Sequence, residues 1–303
     1  MSESYLAIVN PAAGGGRSGR MVGAALQRLR SAGIAVDVAE TAREGHAIEL
    51  TREGYARGYR KFISVGGDGT TFEIVNGLFP EAASAPSELT STLAFLPLGT
   101  GNSFLRDFGA DPSTQAVEAL IASKSRPCDV FKLTHRAGIC YFLNLFNVGF
   151  AADVAMIRHR RFRRFGELGY LFALFVTLAR LDRRAFPLSV DGSADVDRRR
   201  SLFLTFNNSK FTGGKMMIAP NAETADGLIE FVRWGPIGRL GLIRNLPGLF
   251  TGAHIHHPLA ERASVHRVNF FLDGPVDVAL DGEVATLHIE AIDVLPQALR
   301  VVI

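Results

Sequence analysis

Asp68 stands in SVGGDGTTFEIVNGL, residues 64–78, with Gly66 and Gly67 before it and Gly69 and Thr70 after it. Glycines let backbone N–H groups approach an anion, and a helix opening at the same point adds its positive end, so this spacing suits phosphate. A carboxylate among phosphate-holding glycines would repel the ligand unless a cation came between them. Asp68 therefore reads as acting through Mg²⁺, directly or by way of water. The same residues allow two other roles: a general base on an attacking hydroxyl, and an N-cap for the helix that follows.

Two more glycine-rich turns share the first half of the chain, NPAAGGGRSGR at 10–20 and GTGN at 99–102. Any one of them could be a tight turn and nothing more. Three on successive crossovers describe a phosphate cradle at the carboxyl edge of a parallel sheet. Gly14, Gly16 and Gly19 also satisfy the dinucleotide fingerprint, with Asp37 or Glu40 about 20 residues on. A dinucleotide, however, leaves GGDGT and GTGN without a task. No G-x-x-x-x-G-K-[ST] occurs, so the charge of a triphosphate would fall to Mg²⁺ and backbone dipoles.

The elements that must hold these turns are legible from periodicity. YLAIVN, IAVDVAE, KFISV and TLAFLPL are strand-like, and helical spacing runs between them, as at Met21, Ala25, Leu26 and Leu29 before Gly33. Asp111-Pro112 predicts a helix start that carries on to about Ser123. The expectation is a doubly wound α/β nucleotide-binding domain over residues 1–127. After Pro127 the texture turns to short strands: CDVFKL, ICYFLNLFNVGF, FPLSV, SLFLTF, LIEFVRW, VHRVNFFL, VDVALD, TLHIEAI and LRVVI. These predict an antiparallel β-sandwich domain over 128–303, interrupted by helices near 166–181 and 236–250, with a return of the last residues to the first domain left open. The site is expected in a cleft between the two domains.

With 303 residues, 47% of them hydrophobic, the chain can fill two ordinary cores. Cys128 and Cys140 lie in apolar runs, away from metal-ligand spacing, and read as free thiols in a reducing cytosol. MSESYLAIVNP lacks the form of a secretory leader, and LGYLFALFVTLA at 168–179 falls short of the roughly 20 residues a bilayer requires. The expectation is a cytoplasmic protein. Its net charge of +3 says little, but local charge says more. RHRRFRR at 158–164 precedes the apolar run, and Arg180, Arg183 and Arg184 follow it. The region Arg158 to Arg184 thus suits peripheral contact with anionic lipid headgroups, the competing reading being a buried helix with solvated arginine flanks. No nucleic-acid module appears, and a homodimer is left open.

NPAAGG, VGGDGT, LPLGTGN, GGKMMIAPNAETADG and LDGE, in this order from about Tyr5 to Glu283, resemble the diacylglycerol kinase catalytic-domain family of bacterial lipid kinases, related to sphingosine and ceramide kinases. The resemblance implies ATP- and Mg²⁺-dependent phosphorylation of a lipid hydroxyl, with diacylglycerol as the first expectation and a sphingoid base or ceramide as the second. A non-catalytic nucleotide- or lipid-sensing protein, NAD kinase and an NAD-linked oxidoreductase are the other readings. By position, the nucleotide should meet Asn10, Thr41, Gly66, Gly67, Asp68, Gly69, Thr70, Gly99, Thr100, Gly101 and Asn102, with Gly45-His46-Ala47 nearby.

The resemblance also gives Asp281 and Glu283 of LDGE a general-base or metal role. It places a structural Mg²⁺ on Asp226 with backbone carbonyls near Glu223 and Leu228. By pattern alone, Asp281-Gly282 is equally a hairpin turn, as are Asp191-Gly192, Asp226-Gly227 and Asp273-Gly274. Three positions depart from the family: Phe72 stands where asparagine or histidine is common, Ser103 where aspartate often follows GTGN, and Lys215 where a third glycine is usual.

Overall fold

The computed structural model describes residues 4–84, 90–97, 103–109, 112–162, 165, 168–213 and 215–303. The chain divides into two compact units, one of residues 1–130 with 295–303 and the other of 131–294.

In the first unit strand and helix alternate: β1 (Tyr5–Val9), α1 (Ala13–Ser31), β2 (Val36–Glu40), α2 (His46–Ala56), β3 (Lys61–Val65), α3 (Asp68–Leu78), β4 (Thr92–Leu96) and α4 (Pro112–Ile121). The four strands run parallel in the order β2-β1-β3-β4, so their carboxyl ends share one edge. Each strand must bury both faces, because helices lie on either side. Tyr5 to Val9 are accordingly all buried, and Ala7, Val9, Ile63, Val65, Ala94 and Leu96 share a core with α1 and α4. In α1 the core-facing row is Val22, Leu26 and Leu29, while Met21 is exposed. Met21 precedes that row by one residue, about 100° round the helix, which takes it off the face that Leu26 and Leu29 define.

The second unit is an antiparallel β-sandwich. It opens with β5 (Ser125–His135), which straddles the boundary, β6 (Gly138–Phe142), β7 (Leu145–Gly149), α5 (Phe150–Ile157) and α6 (Leu168–Ala179). Short strands follow, β8 (Arg184–Ala185), β9 (Leu188–Val190), β10 (Arg200–Ser201), β11 (Phe203–Asn207), β12 (Phe211–Thr212) and β13 (Met216–Met217). The rest is β14 (Ile229–Trp234), α7 (Arg239–Thr251), β15 (Ala260–Val265), β16 (Arg267–Phe270), β17 (Val276–Leu280), β18 (Glu283–Leu287) and β19 (Ile289–Val302). Six strands form one antiparallel sheet, β15-β14-β11-β7-β17-β18. Phe146, Phe206, Phe231 and Phe270 pack ring to ring at 5.2–6.4 Å in this unit. The last strand serves both units. Its start pairs antiparallel with β16, and Arg300 to Val302 run parallel to β4.

Candidate functional site

In the first unit the carboxyl ends of β1 and β3 carry the first two predicted phosphate-binding turns side by side. β3 ends at Val65, and Gly66 turns the chain so tightly that a Cβ there would lie 2.3 Å from Thr70 Oγ1. Only glycine lets the loop fold back onto the helix so closely. Gly67 occupies the N-cap of α3 in an extended conformation, and no side chain caps that helix. Asp68 is the first helical residue, so the N-cap role considered for it falls to Gly67. A helix end without a side-chain cap leaves backbone N–H groups that suit an anion, and Asp68 stands beside them.

Long-range contacts bring the first turn and the segment after GTGN to the same edge. Asn10 Nδ2 donates to Thr70 Oγ1 at 3.4 Å, joining the first turn to GGDGT. Ser103 N–H donates to Asp68 Oδ2 at 3.4 Å and brings in the segment just after GTGN. Thr41 N–H donates to Val9 O at 2.8 Å, which sets the end of β2 beside that of β1. Gly99, Thr100, Gly101 and Asn102 lie outside the described residues. Gly14, Gly15 and Gly16 all take left-handed conformations, with φ of 62°, 68° and 81°, so the helical part of α1 begins after them. A small hollow lined by Ser64, Gly66, Asp68, Thr71, Phe95 and Phe104 opens here.

Glu73 is the residue that motif reading passed over. Its Oε1 accepts from Gly45 N–H at 2.9 Å and its Oε2 from Ala47 N–H at 3.0 Å, so a carboxylate on α3 seals the start of α2. His46 Nδ1 accepts from Ala42 N–H at 3.0 Å, which gives this histidine a local task in the same turn. The only sequence signal for Glu73 is its place one turn after Asp68, on the helix that GGDGT opens. Glu73→Ala is expected to lower stability by about 1–2 kcal/mol, the cost of uncapping a helix. Glu73→Gln, which keeps one acceptor oxygen, should cost less, and urea denaturation midpoints would separate the two.

In the second unit the structure ranks the four Asp-Gly pairs. Asp281 and Gly282 have φ of 44° and 88°, and Leu280 pairs with Glu283 across them, so LDGE is a two-residue hairpin turn between β17 and β18. It is more than a turn. The Asp281 carboxylate is buried and accepts three backbone N–H groups, from Leu143 at 2.7 Å, Asn144 at 2.9 Å and Leu145 at 3.0 Å. Burial pushes this carboxyl up to about 6, against the pull of those donors and with a smaller push from Glu283. Asp191 accepts His266 and Arg267 N–H at a more exposed turn. Asp226 accepts Leu228 N–H at 2.9 Å. Asp273-Gly274 is not built with positive φ.

Among the described residues, no group of three or more His, Cys, Asp or Glu side chains is placed to hold a metal. A cation at Asp226 would therefore need backbone carbonyls, which suits a hard ion. Asp226 fits one electrostatically: burial raises its carboxyl, and Glu223 and Glu230 add like charge that a cation would relieve. Cys128 and Cys140 are free thiols, and burial pushes Cys140 up to about 12, far from a reactive thiolate.

Residues 4–133 match the model of the diacylglycerol kinase catalytic domain, and residues 144–303 match that of the YegS C-terminal NAD kinase beta sandwich-like domain. The chain belongs to the diacylglycerol kinase catalytic-domain family. Among curated relatives, a protein of Mycobacterium tuberculosis named diacylglycerol kinase is 28% identical over 301 residues, covering 97% of this chain and 93% of that one. A protein of Chromohalobacter salexigens named "Probable lipid kinase YegS-like" is 32% identical over 266 residues, covering 86% and 81%. A crystal structure titled as a diacylglycerol kinase from Bacillus anthracis str. Sterne superposes with a TM-score of 0.71 at 22% identity, covering 99% of this chain and 96% of that one. That likeness shows the fold. As a lipid kinase of this family, the chain carries GGDGT and LDGE on separate units, Asp68 in the first and Asp281 and Glu283 in the second.

Proposed function

We propose that this lipid kinase transfers the γ-phosphoryl group of ATP, with Mg²⁺, to a hydroxyl of diacylglycerol. The observation that carries the reading is Asp68 on the uncapped first turn of α3, at the edge where Asn10, Thr41, Thr70 and Ser103 come together. Backbone N–H groups of Gly66 to Thr70, with Asn10, Thr41 and the GTGN residues Gly99 to Asn102, would hold the nucleotide. Asp68 would hold Mg²⁺, directly or through water, and the ion would supply positive charge that offsets the phosphates. The start of α3 directs its positive end at the same place.

Asp281 and Glu283 divide the remaining work. The acceptor hydroxyl needs a group that orients it and takes its proton as the new P–O bond forms. Asp281 is buried beneath three backbone donors, whereas Glu283 is only half-buried at the start of β18 and is the more accessible of the two. Glu283 is thus the better base, and Asp281 the residue that fixes the turn carrying it. Asp226, with carbonyls near Glu223 and Leu228, would hold a structural Mg²⁺.

The experiment is direct. Purified protein is incubated with labelled ATP, Mg²⁺ and mixed micelles of diacylglycerol, monoacylglycerol, sphingosine or ceramide. Label is expected in phosphatidic acid. Label in sphingosine or ceramide instead would move the acceptor to a sphingolipid, and absence of transfer to all four would sink the reading.

A further inference from the structure

The turn between β2 and α2, residues 41–47, is tied down along its backbone. Thr41 N–H donates to Val9 O at 2.8 Å, Ala42 N–H to His46 Nδ1 at 3.0 Å and His46 N–H to Arg43 O at 3.3 Å. Gly45 and Ala47 N–H donate to the two oxygens of Glu73, at 2.9 and 3.0 Å. Among the described residues, Glu73 is the side chain from outside the turn that holds its backbone. Gly45, with φ of 78°, stands at the N-cap of α2 and has no side chain to offer. A carboxylate 28 positions away takes that place, its charge set against the positive start of the helix.

Glu73 can reach because α2 and α3 lie side by side. A Cβ at Gly77 would stand 2.6 Å from Thr51 Cβ and 2.8 Å from Ile48 O, so the approach needs glycine there. Glu73 meets residues 45 and 47, and Gly77, about one turn further on, meets 48 and 51. The two helices therefore advance in the same direction. About one turn back from Glu73 stand Gly69 and Thr70 of the phosphate-binding turn, and back from Gly45 the chain runs to Thr41.

A second route fixes the other end of the turn to the same place. Val9 O holds Thr41, and the next residue, Asn10, reaches Thr70 Oγ1 through Nδ2 at 3.4 Å. The contacts close a ring from Thr41 through β1 and Asn10 to Thr70, along α3 to Glu73, and back to Gly45 and Ala47. The turn still has groups to give a ligand. Ala42 N–H occupies His46 Nδ1, so the proton of the neutral ring sits on Nε2. That N–H and the Thr41 hydroxyl are on half-buried side chains and have no partner among the described residues.

We propose that Glu73 is a positioning residue for the nucleotide: its carboxylate sets the Thr41–His46 turn against the phosphate-binding turn, so that Thr41 and His46 meet ATP from one side while Gly66 to Thr70 meet it from the other. The inference rests on the ATP reading of this site. Both oxygens of Glu73 are engaged, so glutamine, with one oxygen, replaces it only in part.

The test titrates the whole protein with a non-hydrolysable ATP analogue and Mg²⁺ by calorimetry, and measures transfer to diacylglycerol at varied ATP. Glu73→Ala should weaken analogue binding about tenfold and raise KM for ATP by a similar factor, with KM for the lipid and turnover at saturating ATP within about threefold of the parent. Glu73→Gln should lose about threefold, and it carries the test if the alanine variant does not fold. Val22→Ala truncates a core residue of α1 in the same unit, away from the turn, and should bind the analogue as the parent does. Thr41→Val should weaken binding in the parent and add little to Glu73→Ala, because a displaced turn no longer presents Thr41. Equal affinity in Glu73→Ala and parent, an equal loss in Val22→Ala, or additive losses at Thr41 and Glu73 would each overturn the proposal. A fall confined to turnover at saturating ATP would also overturn it. A parent that binds no adenine nucleotide would remove the ATP reading and this inference together, whereas a parent that binds and transfers, with Glu73→Ala unchanged, would remove the inference alone.

Discussion

Asp68→Asn is expected to cut phosphate transfer by roughly a hundred- to a thousandfold, the range for losing one preorganised electrostatic group at a reacting centre. The substitution keeps the size and one oxygen of the side chain and removes the charge. If Asp68 acts through a cation, that charge is what matters, and the loss should fall on turnover rather than on the fold. Gly67, not Asp68, stands at the N-cap position of α3, Asp68 is only partly buried, and asparagine keeps an oxygen for Ser103 N–H, so stability has little to lose. The favourable interaction of a carboxylate with a helix start amounts to about 0.3–1 kcal/mol. Steady-state transfer from labelled ATP and a urea denaturation curve on the same preparation would check both parts. Near-normal turnover, or a fall explained by unfolding, would reject the role.

Within LDGE, Asp281→Ala and Glu283→Gln should fail in opposite ways. Asp281→Ala removes the acceptor of three buried N–H groups. Each buried donor left without a partner costs about 1–3 kcal/mol, so a loss of at least about 3 kcal/mol is expected, a large part of a typical domain's stability. Glu283→Gln at the edge strand should leave the denaturation midpoint near that of the parent and lower turnover. A stable Asp281→Ala protein would show that the three donors find other partners. An active Glu283→Gln protein would remove Glu283 from the chemistry.

The Asp281 titration adds a signature. Its folded carboxyl titrates at about 6, above the ~4 of an unfolded chain, so the native state holds the extra proton between these values. The stability it contributes is full below pH ~4 and declines as pH rises through 6. Asp281→Asn cannot ionise and should lack that slope when denaturation is repeated across the range.

Much of this protein is written locally. Alternating strand and helix signals marked the parallel α/β half, and short strand runs marked the antiparallel half, because both periodicities arise from residues close together in the chain. Asp281-Gly282 was legible as a hairpin turn for the same reason, and five ordered motifs carried the family. Periodicity could not choose among four Asp-Gly pairs. What sets Asp281 apart is its contact with residues 143–145, separated from it by 136 to 138 positions.

The site shows the same division. Asp68 and its glycines were visible as a phosphate-binding turn, and the sequence alone determined which residue types could do the chemistry. That Asn10 reaches Thr70 across 60 positions, that Ser103 reaches Asp68 across 35, and that Glu73 seals α2 from 28 and 26 positions away, only the tertiary structure decided. α6 is the sharpest case. LGYLFALFVTLA is apolar on every side except at Thr177, so no pattern in it could say which face turns inward. The choice was made by the backbone at Phe162, which leaves no room for a side chain at Gly169 and sends Phe172 and Phe175 outward. Local patterns record what a segment prefers, whereas close approach between segments depends on how the whole chain packs.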